Sequence, residues 1–310
     1  MAFGENRASE ASDGAWTSVI FGTERVTVAE IVRQADGKPS VRSCEEFARE
    51  GSELEILKRL KNAKRLARQR CTTLLDEGQY QLLQVDLPAN AADLPRDELR
   101  ESLRWRVKEM VDFPVERAGI DLLDIPASGN RNPQLWVVVA NHDVLQPRIR
   151  QFQDAKVALA AIDIPELAQR NLASLFEEPN RGLAFLAFDR HGGRLSVTYR
   201  GELFMTRHID VGASELAGPE ASALHERVLL DIQRSLDNFD RNYSAISLTR
   251  LLVGPLPNGE AFIGYLRDNL SLQVASANLA EVMDFAQVPQ LASPAAQSEA
   301  WLALGAALRE

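Results

Sequence analysis

The alternation of apolar and polar positions is clearest over 181–212, RGLAFLAFDRHGGRLSVTYRGELFMTRHIDVG. Runs of strand length at 183–188, 194–199 and 202–209 are separated only by Asp-Arg-His-Gly-Gly and Arg-Gly, which predicts tight hairpins and an antiparallel meander. The first run is apolar throughout, as a central strand covered on both faces would be. In the second, Leu195, Val197 and Tyr199 alternate with Ser196, Thr198 and Arg200, the pattern of a more peripheral strand. An earlier set, 16–22, 25–33 and 40–47, the last following the turn Ala-Asp-Gly-Lys-Pro, predicts another meander.

Helical periodicity predicts helices over 52–70, 95–111, 143–154, 165–176, 219–243, 260–269 and 297–309. Ile56, Leu60, Ala63 and Ala67 form the inward stripe of the first, and Leu99, Leu103, Val107 and Met110 that of the second. Trp105 lies off that stripe. Such an indole either packs in a neighbouring core, the commoner case, or stands exposed beside a groove as a peptide anchor. Further strands are expected at 71–75, 79–87, 118–125, 134–140, 157–164, 248–253 and 270–275. Each half then offers a meander, a helix, a strand, a helix, a strand and a final helix. The first half differs by an inserted α/β block at about 79–154. No motif recurs at a fixed period, so this is duplicated architecture rather than a sequence repeat. The expected division is a loose tail over 1–15, a first lobe over 16–177 and a second over 178–310.

Composition fits an ordinary protein with two cores: 310 residues, 45% hydrophobic and 25% charged. A net charge of −9 argues against general nucleic-acid binding. Against that acidity, Lys58, Arg59, Lys61, Lys64, Arg65, Arg68 and Arg70 make the first helix strongly basic. A charge run is commonly a solvated face whose cations complement the helix dipole; the sharper reading is a docking face for acidic lipid or an acidic partner. Cys44 and Cys71 suggest neither a disulfide framework nor a metal knuckle. With no basic-then-apolar leader and no run near ~20 apolar residues, a cytoplasmic location is expected.

Five phrases in order, SLRWRVKEMVDFPVERAGIDLLDIP, GELFMTRHIDVG, LDIQRSLDNFDRNYS, LTRLLVGP and AWLALGAALR, resemble segments of the PilM and MshI family of type IV and MSHA-type pilus assembly, nearest its MshI branch. In that family these are the inserted segment, the third-strand phrase, the long helix, the strand and turn facing the adenosine, and the closing helix. The likeness runs from about Trp16 to the C-terminus. It implies the actin-like (RNase H-like) α/β fold, with a nucleotide cleft between two lobes. It also implies a cytoplasmic scaffold that meets the inner membrane indirectly, by binding the short cytoplasmic peptide of an MshJ- or PilN-like partner in a groove beside the insert. Trp105 and Met110 are the candidate apolar contacts. Arg207 matches the family's strand arginine, which implies an inter-lobe contact.

Phosphate binding by hairpins needs glycines for close approach and a carboxylate for magnesium. In the family the first hairpin follows a strand ending Asp-x-Gly; here 19–23 reads Val-Ile-Phe-Gly-Thr, so Ile20 stands at the acid's position. At the second hairpin Ala187 takes that position and Asp189 replaces a glycine. In the third turn Gly254 is kept, while Pro255 replaces a glycine and removes an N–H. Loss of both acids should abolish most hydrolytic rate enhancement. The expectation is a pseudo-ATPase with no catalytic residue, no metal and no required cofactor. If ATP and magnesium bind, Gly22, Thr23, Asp189, Gly192, Gly193 and Gly254 would line the site. Asp189, His191, Gly192 and Gly193 could rebuild a site, but they are also ordinary turn residues. The alternatives are a PilM-like ATP-binding switch with weak ATPase activity and a sugar-kinase-like enzyme, for which no catalytic Asp is evident. His142, His191, His208 and His225 lack metal-ligand spacing, and no P-loop or G-x-S-x-G occurs.

Overall fold

The computed structural model describes residues 15–309 except 65, 67–69, 89–90, 92–93, 127–132, 191 and 219–220. All but Ala15 of the expected tail lies outside the described residues. Lobe 1 runs β1 (Trp16–Phe21), β2 (Arg25–Arg33), β3 (Pro39–Ala48), α1 (Glu53–Lys64) and β4 (Arg70–Leu74). Then come the inserted β5 (Tyr80–Asp86), α2 (Arg96–Arg106), β6 (Ala118–Asp124) and β7 (Gln134–Asn141), followed by α3 (His142–Asp154), β8 (Leu159–Asp163) and α4 (Pro165–Ser174). Lobe 2 is β9 (Gly182–Phe188), β10 (Gly193–Tyr199), β11 (Glu202–Ile209), α5 (Ala221–Asn242), β12 (Leu248–Val253), α6 (Glu260–Asn269), β13 (Gln273–Ser276) and α7 (Pro294–Ala307).

The lobes share one strand order, β3-β2-β1-β4-β8 in the first and β11-β10-β9-β12-β13 in the second. Each meander is antiparallel, and the two later strands lie parallel to the first. This is the duplicated layout expected, with the insert forming its own antiparallel sheet, β5-β7-β6. β9 is buried at every position, as its apolar run requires. The hairpin from β10 to β11 turns on Arg200 and Gly201, at φ +54° and +77°; a two-residue turn of this hand matches the strand twist.

β10 departs from the peripheral strand expected, because two of its three polar alternates, Ser196 and Thr198, are buried, as is Arg194 at its start, while Arg200 is exposed in the turn. α4 covers that face. Gln169 Nε2 donates to Ser196 Oγ (2.9 Å) and to the Arg194 carbonyl (2.9 Å), so part of the polar side is paired inside the protein, while Thr198 Oγ1 and Gln169 Oε1 have no hydrogen-bond partner among the described residues.

The last helix of each lobe packs on the other lobe's sheet. α4 covers β9, β10 and β11, whereas α7 lies on β1, β2 and β4. Where the two helices cross, a Cβ on Gly305 would lie 2.2 Å from the Ala168 carbonyl oxygen, so the approach is open only to glycine. Trp301 stacks on Phe185 with centroids 5.1 Å apart, and Ser18 Oγ donates to the Ala303 carbonyl (2.7 Å). Ile31, Val41, Phe185, Leu252, Leu172 and Leu304 belong to one core shared by both sheets and both helices. α7 starts at Pro294 rather than 297, with Ser293 Oγ accepting from the Ala296 N–H (3.2 Å).

Other boundaries also shift. α1 ends at Lys64 instead of 70, because Arg70, Cys71 and Thr72 must pair with Trp16, Thr17 and Ser18 in the sheet. α2 stops at Arg106 and gives way to a 3-10 turn at Val107–Glu109. That change of pitch carries Met110 off the buried stripe, leaving it 48% exposed. β8 and β13 are shorter than expected at 157–164 and 270–275, and β13 extends one residue further, to Ser276. α3, assigned in sequence to the insert, packs on β6 and β7 of the insert and also on α1 and β8, with Phe152 in the lobe 1 core.

Candidate functional site

The three turns expected to cradle phosphate are engaged in bonds within the protein. Gly22 donates its N–H to the Arg25 carbonyl (2.8 Å), and its own carbonyl accepts from Arg49 Nη1 (2.7 Å). Thr23 is exposed. In the second hairpin Asp189 donates its N–H to the Gly192 carbonyl (2.9 Å), while Asp189 Oδ1 accepts from the Gly192 N–H (3.1 Å). A Cβ on Gly192 would sit 2.5 Å from the His208 ring, and one on Gly193 would sit 2.4 Å from the Phe188 ring. These glycines make room for side chains of the protein itself. His191 lies outside the described residues. Gly254 donates to the Leu186 carbonyl (2.7 Å) and is buried with Pro255. An incoming phosphate would have to displace the bonds made by Gly22, Gly192 and Gly254.

The two positions where the resemblance places acids face apolar packing. Ile20 lies against Leu74, Ala168 and Ala306, and Ala187 belongs to the shared core with Leu252 and Ala277. A carboxylate at Ala187, which is buried, would be desolvated; Ile20 is partly buried. Across the hairpin tips, Arg190 Nη1 pairs with Glu24 Oε2 at 3.3 Å, joining the two lobes.

A second polar link between the lobes centres on Arg194. Its guanidinium, 6% exposed, meets Glu77 Oε1 at 2.5 Å and Glu166 Oε1 at 3.8 Å. Tyr80 donates its hydroxyl to Glu166 Oε2 (2.6 Å), and His208 Nδ1 lies 3.5 Å from Glu77. Burial first, and then the Glu166 charge, push the Tyr80 phenol well above its usual range, so it stays a donor. The sequence pointed to Arg207 for the inter-lobe contact. Arg207 is instead exposed and makes no ion pair among the described residues, and the contact falls to Arg194, opposite His208 in the ladder. Nothing in the local pattern marks Glu77, Tyr80 or Glu166 as its neighbours, because they come from a loop, the insert and α4.

The insert faces two ways. Leu99 and Leu103 of α2, with Val107 of the 3-10 turn after it, cover one side of its sheet against Ile120, Leu135 and Val137. The other side, with Tyr80, Leu82, Leu123 and Val138, packs on Ile164 and Leu167. It reaches lobe 2 as well: Trp136 Nε1 donates to the Leu203 carbonyl (2.8 Å), and Gln84 Nε2 to the Tyr243 hydroxyl (3.0 Å). Beside the insert lies a 30 Å³ cavity lined by Leu75, Leu123, Val138, Ile164 and Leu167, with Arg309 held by buried Asp163 (2.5 Å) at its edge. It has room for about one or two waters. Trp105 is 61% exposed rather than packed in a neighbouring core, with Lys108 Nζ 5.2 Å from its ring centre. It and Met110 stand on the outer side of the insert, away from that cavity.

Among the described residues, no helix is long and apolar enough to cross a membrane, and no three His, Cys, Asp or Glu are grouped to hold a metal ion. No family model matches the chain, nor does any curated protein. Among solved structures it is similar to one described as the PilM-PilN type IV pilus biogenesis complex, with TM-score 0.74, 17% identity, and coverage of 97% of this chain and 99% of that one. It is also similar to a Bacteroides thetaiotaomicron protein with an actin-like ATPase fold, with TM-score 0.50, 11% identity, and coverage of 93% and 99%. The chain has the actin-like fold.

Proposed function

We propose that the protein is a cytoplasmic scaffold of a type IV pilus assembly platform, of the MSHA kind, that has lost ATP hydrolysis. It holds the cytoplasmic peptide of a PilN- or MshJ-like inner-membrane protein and is peripheral to that membrane through it. The pilus part is supported by the end-to-end likeness to a chain of the PilM-PilN complex. The loss of hydrolysis is supported by one observation: at the positions where the resemblance places metal-holding acids, Ala187 is buried in an apolar core and Ile20 is partly buried against one. Magnesium and triphosphate do not fit residues of this kind.

Calorimetry with Mg-ATP tests the reading. The expected result is no saturable heat. Micromolar binding would favour the switch, in which ATP closes the lobes and changes partner affinity. For the partner, Trp105 and Met110 are the proposed apolar contacts, both being exposed on the insert. Capture of a candidate cytoplasmic tail should weaken about 30-fold in Trp105→Ala, as for an aromatic anchor. Unchanged capture would remove that surface.

A further inference from the structure

Cations are unevenly placed in this acidic chain. From Ile56 to Arg70 there are seven Lys or Arg and no Asp or Glu, in a protein of net charge −9, so the remaining residues sum to −16 once those seven are set aside. Lys58 and Arg59 stand exposed on α1 and Lys61 is half-buried, while Ile56, Leu57 and Leu60 pack inward on the first sheet. None of the three cations has a carboxylate within ion-pair distance among the described residues. Arginines nearby do: Arg25 pairs with Glu46, Arg49 with Glu53 and Arg148 with Glu53. The acids of α1 sit in its first turn, where Glu55 accepts from Ser52 N–H (2.8 Å) and Oγ (2.9 Å). The helix dipole rewards cations in a last turn, and so does not account for Lys58 and Arg59, which lie earlier.

The charge continues around the same end of lobe 1. Arg70 and Lys156 are exposed there, brought together where the Cys71 N–H donates to the Ala158 carbonyl (3.0 Å). Between α1 and the end of β3 an open groove of 260 Å³ is lined by Phe47, Ala48, Leu60 and Ala63, with Arg59 and Glu50 at its rim.

We propose that this face of lobe 1 rests directly on an anionic lipid surface, its cations among the phosphate headgroups. This stands apart from the pilus reading, since it uses only charge and exposure. The cations are spread over a convex helix face, as a diffuse lattice of headgroups requires. An acidic peptide would need an anchoring pocket beside them, and the available groove carries Glu50, which opposes a carboxylate. The acidic remainder of the molecule is repelled by the same surface, so contact is confined to one orientation.

The test is flotation of the full chain with vesicles of phosphatidylcholine alone, or with about one third phosphatidylglycerol. Wild type should bind only the anionic vesicles, and less at high salt. Lys58→Gln/Arg59→Gln/Lys61→Gln, with thermal melting to confirm its fold, should bind about 100-fold more weakly. The same loss of charge on α5, Arg227→Gln/Arg234→Gln/Arg241→Gln, should leave binding within about twofold. Failure of wild type to bind anionic vesicles overturns the proposal, as does equal loss in both triple variants. If wild type ignores vesicles but retains immobilised polyglutamate through α1, the face belongs to an acidic protein and the lipid assignment is wrong.

Discussion

A methyl group added at Gly305 has nowhere to go, because the Ala168 carbonyl would lie 2.2 Å from it and belongs to a helix held on both sides. Gly305→Ala should therefore force α4 and α7 apart and cost about 2–3 kcal/mol, read as a lowered urea midpoint. The cysteines make a different prediction. Burial pushes the thiols of Cys44 and Cys71 up to about 12 from 9.0. Folding thus favours the protonated form: stability is untouched below pH 9.0 and falls as pH rises from there towards 12. Native protein should show no reaction with a thiol reagent near neutral pH and react fully once unfolded. Titrating thiols in the folded state would contradict this.

Among the elements, the polar link through Arg194 joins β10 to α4, the insert and the loop after β4. Arg194→Ala would leave Glu166 and the Tyr80 hydroxyl in a low-dielectric site without their cation. A loss of about 3–5 kcal/mol is expected, with Tyr80→Phe costing less, about 1 kcal/mol; denaturant melts of both check the order. This link also marks what the sequence could convey. Both meanders, the long α5 and the insert were legible because each carries its own period, as in the apolar run 183–188 or Leu229, Ile232 and Phe239. Cover on the polar face of β10 was not, since Ser196 and Thr198 read as solvent-facing until α4 arrives from the other lobe with Gln169. The ends of α1 and α2 were hidden too, because sheet pairing at Arg70 and a change of pitch at Val107 override a continuing helical pattern.

The two lobes of the whole molecule are fastened at several separate places: the crossed helices, the Arg190–Glu24 pair, the Arg194 cluster, and the insert's Trp136 and Gln84. Opening and closing about a hinge would have to break these together, which suits a rigid platform. Small-angle scattering with and without Mg-ATP should give the same radius of gyration, and contraction with nucleotide would support the switch. The exchange of α4 and α7 between sheets has one more consequence, for how the chain is made. Lobe 1 leaves the ribosome with the α7-facing side of its sheet bare, and its cover is translated only after the strands of lobe 2. Nascent chains should therefore wait unfinished and depend on chaperones, and a product stopped at residue 293 should precipitate although it contains all the strands of the described residues.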